Sequence, residues 1–411
     1  AGADALGEAA VMSATPAATR ASRRGISQRV EQFTESVIRE MTRLAMEYGA
    51  VNLAQGFPDF PAPEFIKEAA VRAIRADINQ YAVTWGDPLL RRAVAEKYQR
   101  WYGLDVSERQ VTVCCGATET MISTLIAVLN PGDETVIFEP FYENYGPDSI
   151  LSGATPRFVT LRQGEAGWNF ERDELAAAFN ERTRAIILNS PNNPTGKVFS
   201  RAELEFIRDL CVRWDCLAIT DEIYEHMVYD GREHLPMAAL EGMADRTITI
   251  SGISKTFSVT GWRIGWAIAP ERLAGGIRKV HDFLTVGAAA PLQAAAAEAI
   301  AGGDAFCRGL AAEYAARRAK IIPALRQAGF GCTAPEGAYY VITDVSPFLE
   351  RTGGEEFARW LVREGGVATV PGSSFYHHPA LGEAQTRFCF CKTEATLDAA
   401  VAQLGRLRPP R

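Results

Sequence analysis

The sequence predicts an α/β protein: a mostly parallel central sheet with flanking helices, joined to a smaller α+β domain. Three observations carry this expectation. Between residues 111 and 269, short apolar runs, several rich in β-branched side chains, alternate with longer amphipathic segments. Such runs suit strands buried on both faces, and their alternation with helices suits an open parallel sheet. An Ala-rich stretch, 288–301, reads as a helix leading into a C-terminal region that mixes helices with short strands. Finally, the most unusual polar residues follow directly on apolar runs, and open parallel sheets bind ligands at the carboxyl ends of their strands.

In chain order, residues 1–25 are rich in Ala, with Arg20, Arg23 and Arg24 and only Asp4 and Glu8 as acids. They lack the apolar stretch of a secretory signal and are expected to form a flexible tail. Over 33–50 the pattern is helical, with Val37, Ile38, Met41, Leu44, Ala45 and Tyr48 near one face. The run Gln55-Gly56-Phe57-Pro58-Asp59-Phe60-Pro61 stops any regular element. Two further helices are expected over 64–76 and 88–102. Strands are expected at 111–113, 135–139, 185–189, 217–221, 247–251 and 264–269, with helices at 117–129, 171–179 and 201–214 between them. The C-terminal region suggests helices at 308–328 and 355–364 and strands at 338–344 and 386–391. A chain of 411 residues exceeds what one core usually serves. The expected division is a tail at 1–25, an arm and part of the small domain at 26–60, a large domain at 61–300 and a small C-terminal domain at 301–411.

Hydrophobic content of 47%, charged content of 23% and a net charge of −7 describe an ordinary globular protein. The mildly acidic balance gives no electrostatic reason to expect nucleic acid or an anionic membrane as partner. No apolar run approaches the roughly eighteen residues of a membrane span. None of the eight cysteines sits in a CxxC pair, which argues for reduced thiols in a cytoplasmic protein and against a zinc site.

Three apolar runs end in chemically loaded residues: Ser190-Pro191-Asn192-Asn193-Pro194-Thr195-Gly196, Asp221-Glu222-Ile223-Tyr224 and Ser251-Gly252-Ile253-Ser254-Lys255. Each alone has a plain structural explanation. Asn-Asn-Pro-Thr-Gly makes a good turn, Asp221 could cap a helix, and most lysines are solvated. Three in register suggest one site.

The stretch from Gly252 through Lys255 to Gly261-Trp262-Arg263-Ile264-Gly265 resembles the cofactor-attachment signature of class I/II aminotransferases, enzymes of the pyridoxal 5′-phosphate (PLP) fold type I. Asn193-Pro194-Thr195-Gly196, Asp221, Tyr224 and Arg387-Phe388-Cys389-Phe390 follow the family in the right order. The similarity runs from about Phe33 to the C-terminus and is strongest to the kynurenine, glutamine and methionine aminotransferase branch.

That resemblance implies a PLP-binding large domain and a set of roles. Lys255 would carry PLP as a Schiff base and then move the substrate's proton, with Asp221 partnering the pyridine nitrogen. Asn193 and Tyr224 would bond the phenolate oxygen, and Tyr142 would stack on the ring where the kynurenine branch usually has Phe. Phosphate donors would be Ala117 and Thr118 at the start of a helix, a natural anion site, together with Arg263. Relatives carry Ser three residues before the lysine; Gly252 stands there, so Ser251 or Ser254 would substitute. Tyr81 matches a tyrosine that reaches the phosphate from the other subunit, implying a homodimer. Arg387 would bind the substrate α-carboxylate, with Asn193 and the bare backbone of Gly56 beside it.

The implied reaction is a ping-pong transfer of an amino group from an L-amino acid to a 2-oxo acid, 2-oxoglutarate by family habit. Val286 and Gly287 stand where kynurenine-type relatives place an aromatic and a His that line the pocket of the neighbouring subunit, and Ile38 where they place a tryptophan. Those departures remove aromatic walls. No second arginine is recognisable in the sequence for a side-chain carboxylate, although one loop arginine could supply it, so a neutral or mixed substrate range is expected. A β-lyase or synthase on the same fold, and a PLP-binding protein without turnover, stay open as alternatives.

Overall fold

The computed structural model describes residues 25–33, 36–349 and 354–407. The tail expected over 1–25 lies outside the described residues, Gly25 apart. The chain forms two compact units, 1–34 and 35–411. In the first, the described residues include one single-turn 3-10 helix, Val30–Gln32, which buries nothing.

The second unit is built on a seven-stranded sheet. Its strands are β2 (Val111–Cys114), β3 (Glu134–Glu139), β4 (Thr155–Thr160), β7 (Thr183–Asn189), β8 (Leu217–Asp221), β9 (Thr247–Gly252) and β10 (Gly265–Ile268), in the spatial order β2-β10-β9-β8-β7-β3-β4. All neighbouring pairs are parallel except the two made by β10, so the sheet is mixed and mostly parallel, as expected. The central strands are apolar throughout because helices cover both faces. Along β7, Ile186 and Leu188 pack with Leu204, Ile207 and Leu210 of α7 (Arg201–Arg213). Ala185 and Ile187 point the other way, into a cluster holding Met121 and Leu125 of α4 (Gly116–Val128) and Leu273 and Ile277 of α9 (Glu271–Thr285). Two elements escape the sequence pattern. β4 is a half-exposed edge strand carrying Pro156, which a ladder tolerates only at an edge. α9 carries Gly275-Gly276, poor helix formers, within its length; a Cβ on Gly276 would sit 3.6 Å from that of Ala127, so the small residue lets α9 lie close to α4.

The C-terminal region adds a three-stranded antiparallel sheet, with β14 (Gln385–Cys389) between β11 (Tyr340–Asp344) and β13 (Val370–Pro371). Its core includes Phe330, Phe348, Phe357 and Phe388. A helix at Glu394–Leu404, capped by Thr393, was not anticipated. Helix α1 (Val37–Tyr48) and the short strand β1 (Val51–Asn52) pack with this region, β1 pairing with Val367–Ala368.

The register of β7, β8 and β9 places Asn189 opposite Asp221 and Asp221 opposite Ile250. The three loaded strand ends of the sequence therefore meet at one edge of the sheet.

Candidate active site

A cavity of about 260 Å³ opens at that edge. Asp221, the last residue of β8, is buried there; its Oδ2 accepts from the Tyr145 hydroxyl at 2.7 Å and its Oδ1 from the Ile223 amide at 3.2 Å. Burial pushes this carboxyl above the usual range, and the Tyr145 bond, the Ile223 amide and Lys255 pull against it. Lys255 lies on the single turn α8 (Ile253–Thr256), and its Nζ donates to the Gly56 carbonyl at 3.2 Å. Burial, reinforced by Arg263 and Arg387 and opposed by Asp221, brings its ammonium down to about 8. A lysine so shifted has a sizeable neutral fraction near neutrality, the form that acts as nucleophile or base.

Opposite the acid, α4 begins at Gly116 after Cys115, and Ala117 and Thr118 line the cavity with the first, unpaired amides of the helix. Arg263, in the left-handed region at φ 55°, crosses this helix start and is held by the Thr260 carbonyl at 2.9 Å. A Cβ on Gly116 would stand 2.4 Å from its Nη2, so glycine is what lets the guanidinium approach. The Ser254 hydroxyl faces the same space, buried and without a partner among the described residues. Helix amides, two hydroxyls and a guanidinium, with no carboxylate bonded to them, form a donor set that fits a phosphate.

The sequence left Ser251 and Ser254 open, and the structure separates them. Ser251, on β9, donates to Glu225 Oε1 at 2.8 Å and does not line the cavity. Gly252 cannot carry a side chain, because a Cβ would lie 2.7 Å from the Ile264 carbonyl. Ser254 is thus the hydroxyl that remains.

At the other side of the cavity Arg387, on β14, is 1% exposed. Its Nη1 donates to Asn193 Oδ1 at 2.9 Å and its Nη2 to the Ala54 carbonyl at 2.7 Å, while Nε has no partner among the described residues. Its guanidinium lies over the Tyr340 and Phe375 rings, and no carboxylate pairs with it among the described residues. Gly56 lines the cavity and is required to be glycine by Tyr340, whose hydroxyl would be 1.9 Å from a Cβ. Tyr224 exchanges a hydrogen bond with Tyr340 at 3.1 Å, and burial raises its phenol well above the usual value. Tyr142 lines the wall, its phenol pushed up to about 12, chiefly by burial.

Three expected positions stand apart. Tyr81 is 87% exposed and lies in a separate open depression with Gly287 and Ala288. Val286 and Gly287 do not line the cavity, whereas Ile38 does. Tyr145, Tyr340 and Arg39 line it without having been singled out in the sequence. Tyr145 lies three residues after Tyr142, across a single turn closed by the Tyr145 amide on the Tyr142 carbonyl at 3.1 Å.

Residues 48–404 match the family model for aminotransferase class I and II. The chain belongs to that family. It is 40% identical over 389 residues to a probable N-succinyldiaminopimelate aminotransferase of Mycobacterium tuberculosis, covering 92% of this chain and 98% of the relative. It is 37% identical over 398 residues to human kynurenine–oxoglutarate transaminase 1, covering 89% and 94%. Among solved structures, N-succinyldiaminopimelate aminotransferase of Mycobacterium tuberculosis superposes with a TM-score of 0.90 at 39% identity, covering 93% of this chain and all of that one. YbdL of Escherichia coli, described as having a methionine aminotransferase function, superposes with a TM-score of 0.89 at 32% identity, covering 93% and 99%. The protein is therefore a PLP-dependent aminotransferase of fold type I, acting on amino acids and oxo acids. Among the described residues no helix is long and apolar enough to cross a membrane.

Proposed function

We propose that the cavity moves the amino group of an L-amino acid to 2-oxoglutarate by a ping-pong cycle, with a neutral or mixed range of donors. One observation carries this reading. A depressed amine and a buried, acid-free guanidinium are held on the same short loop, Lys255 through the Gly56 carbonyl and Arg387 through that of Ala54. A buried cation without a carboxylate is costly unless an anion arrives with the substrate. An α-amino acid brings its carboxylate to Arg387 and its Cα within reach of Lys255.

PLP, when bound, supplies the sink for the electron pair of the broken Cα–H bond. The chain's residues do the rest. Ala117, Thr118, Ser254 and Arg263 would hold its phosphate, Tyr142 would line its ring, and Asn193 and Tyr224 would bond its phenolate oxygen. Asp221, held by Tyr145, would supply negative charge to its ring nitrogen. Lys255 provides the attachment point and, once released, takes the Cα proton in its neutral form and returns it on the other side of the transfer. Arg387, with Asn193 and the Gly56 backbone beside it, orients the α-carboxylate. Ser251 is committed to Glu225 and receives no role.

The remaining expectations belong to the same proposal. A large domain at 61–300 and a small one at 301–411 are supported by the seven-stranded sheet lying within the first range and the three-stranded sheet within the second. Exposed Tyr81, Phe283, Leu284 and Val286 support a homodimer in which Tyr81 serves the partner's phosphate site. Eight free cysteines support a cytoplasmic setting.

The purified protein is expected to take up PLP, develop a visible absorption band, and lose it when an amino donor is added. A colourless protein that binds no PLP overturns the proposal. Pyruvate and ammonia from a β-substituted alanine, without amino transfer, would favour the β-lyase instead. Because the Lys255 amine titrates near 8, the rate of band growth in stopped flow should rise about tenfold per pH unit below that value and level off above it.

Arg387→Gln removes the only buried cation assigned to the α-carboxylate. We expect donor and acceptor KM values to rise together, by an amount equivalent to about 2–5 kcal/mol, with PLP uptake retained. Steady-state kinetics with both substrates varied checks this; unchanged KM values would remove Arg387 from the assigned role.

A further inference from the structure

Four cationic side chains line the cavity, Arg39, Lys255, Arg263 and Arg387, against two carboxylates, Asp221 and Glu143. The proposed function employs three of the four. Arg39 is left over. It lies in the first turn of α1, where the positive end of the helix dipole disfavours a cation, so local helix energetics do not explain it. Its neighbours form no ion pair with it among the described residues. Glu40 pairs with Arg359 at 3.0 Å, and Glu143 accepts from the Ser36 hydroxyl at 2.8 Å. The Arg39 side chain has no hydrogen bond or ion pair among the described residues. The same cavity wall also offers the apolar side chains Ile38, Phe57 and Met121.

We propose that Arg39 is a specificity-determining residue: it binds a carboxylate at the far end of the substrate side chain, so that the enzyme takes amino acids and 2-oxo acids carrying a distal anion. This rests on the reading of Arg387 as the α-carboxylate partner. Two guanidinium groups then serve one substrate, the buried one for the invariant end and the exposed one for the variable end. A planar guanidinium matches a carboxylate with two parallel hydrogen bonds, and its exposure makes the contribution sensitive to salt. Neutral donors still fit, because their apolar chains pack on Ile38, Phe57 and Met121, which is how a mixed range arises from one pocket. The sequence offered no recognisable second arginine; folding α1 over the cavity supplies one.

The test compares glutamate and glutamine, which differ chiefly in the distal charge, as donors to a neutral 2-oxo acid. The ratio of their kcat/KM values is measured for the PLP-loaded wild type, Arg39→Gln and Arg39→Lys, at low and high ionic strength. Arg39→Gln should lower the glutamate-to-glutamine ratio about tenfold. Arg39→Lys should restore part of it, and added salt should lower the wild-type ratio. A ratio in Arg39→Gln within about twofold of wild type overturns the inference, as does a wild type that uses other donors but not glutamate. A wild type that transfers no amino group from any donor in a broad panel refutes the proposed function instead.

Discussion

Lys255→Ala is expected to lower kcat/KM for amino-group transfer by about three to four orders of magnitude. The variant loses both the attachment amine and the group that carries the Cα proton. Asp221, Arg263, Ser254 and Arg387 stay in place, so PLP and substrate should still bind, and the loss should fall mainly on kcat. The fold should survive, since the lysine side chain makes one hydrogen bond, to the Gly56 carbonyl. The sign of its titration supports this. The folded-state value near 8 lies below the ordinary 10.5, so between those values the unfolded chain holds more protons than the folded one. Wild type therefore gains stability as pH rises from about 8 to about 10.5, a gain the alanine variant lacks. Single-turnover kinetics and denaturation curves across that window check both statements. Turnover within tenfold of wild type would move the proton-carrying role to another residue.

Asp221→Asn should lower kcat by about two to three orders of magnitude while leaving donor KM within a few-fold of wild type. The amide keeps the size of the carboxylate and can still meet the Tyr145 hydroxyl and the Ile223 amide, so what is lost is the negative charge. That charge is held against the cost of burial, which with Glu222 pushes the carboxyl upward. Binding of the α-carboxylate depends on Arg387, which is untouched, and this is why the effect separates into kcat. A variant with near-wild-type kcat would show that the acid only positions the loop after β8.

Legibility in the sequence followed the range of the interactions. The strands β7, β8 and β9 were visible because burial on both faces demands continuous apolar runs, and their polar ends marked one edge of the sheet. The edge strand β4 was not visible, since half exposure and Pro156 break the pattern. Nor was α9, where Gly275-Gly276 trade helix propensity for closeness to α4. Within the candidate site, Lys255, Asp221, Tyr224 and Arg387 were singled out, but the partners of Asp221 and Tyr224 were not. Tyr145 bonds Asp221 across 76 residues and Tyr340 bonds Tyr224 across 116. No local pattern records a partner so distant.

By itself the sequence determined the reaction class. A lysine in a small-residue run, an acid ending one strand and an asparagine after another are local features, readable because each is fixed by its own segment. Only the tertiary structure decided which serine faces the cavity, how far the Lys255 ammonium is lowered, that Arg387 is buried without an acid among the described residues, and that Arg39 joins the wall. Those properties depend on burial and on which polar atoms are left without partners. Both are set by segments hundreds of residues apart that meet only when the sheet, α1 and the C-terminal strands close around one cavity.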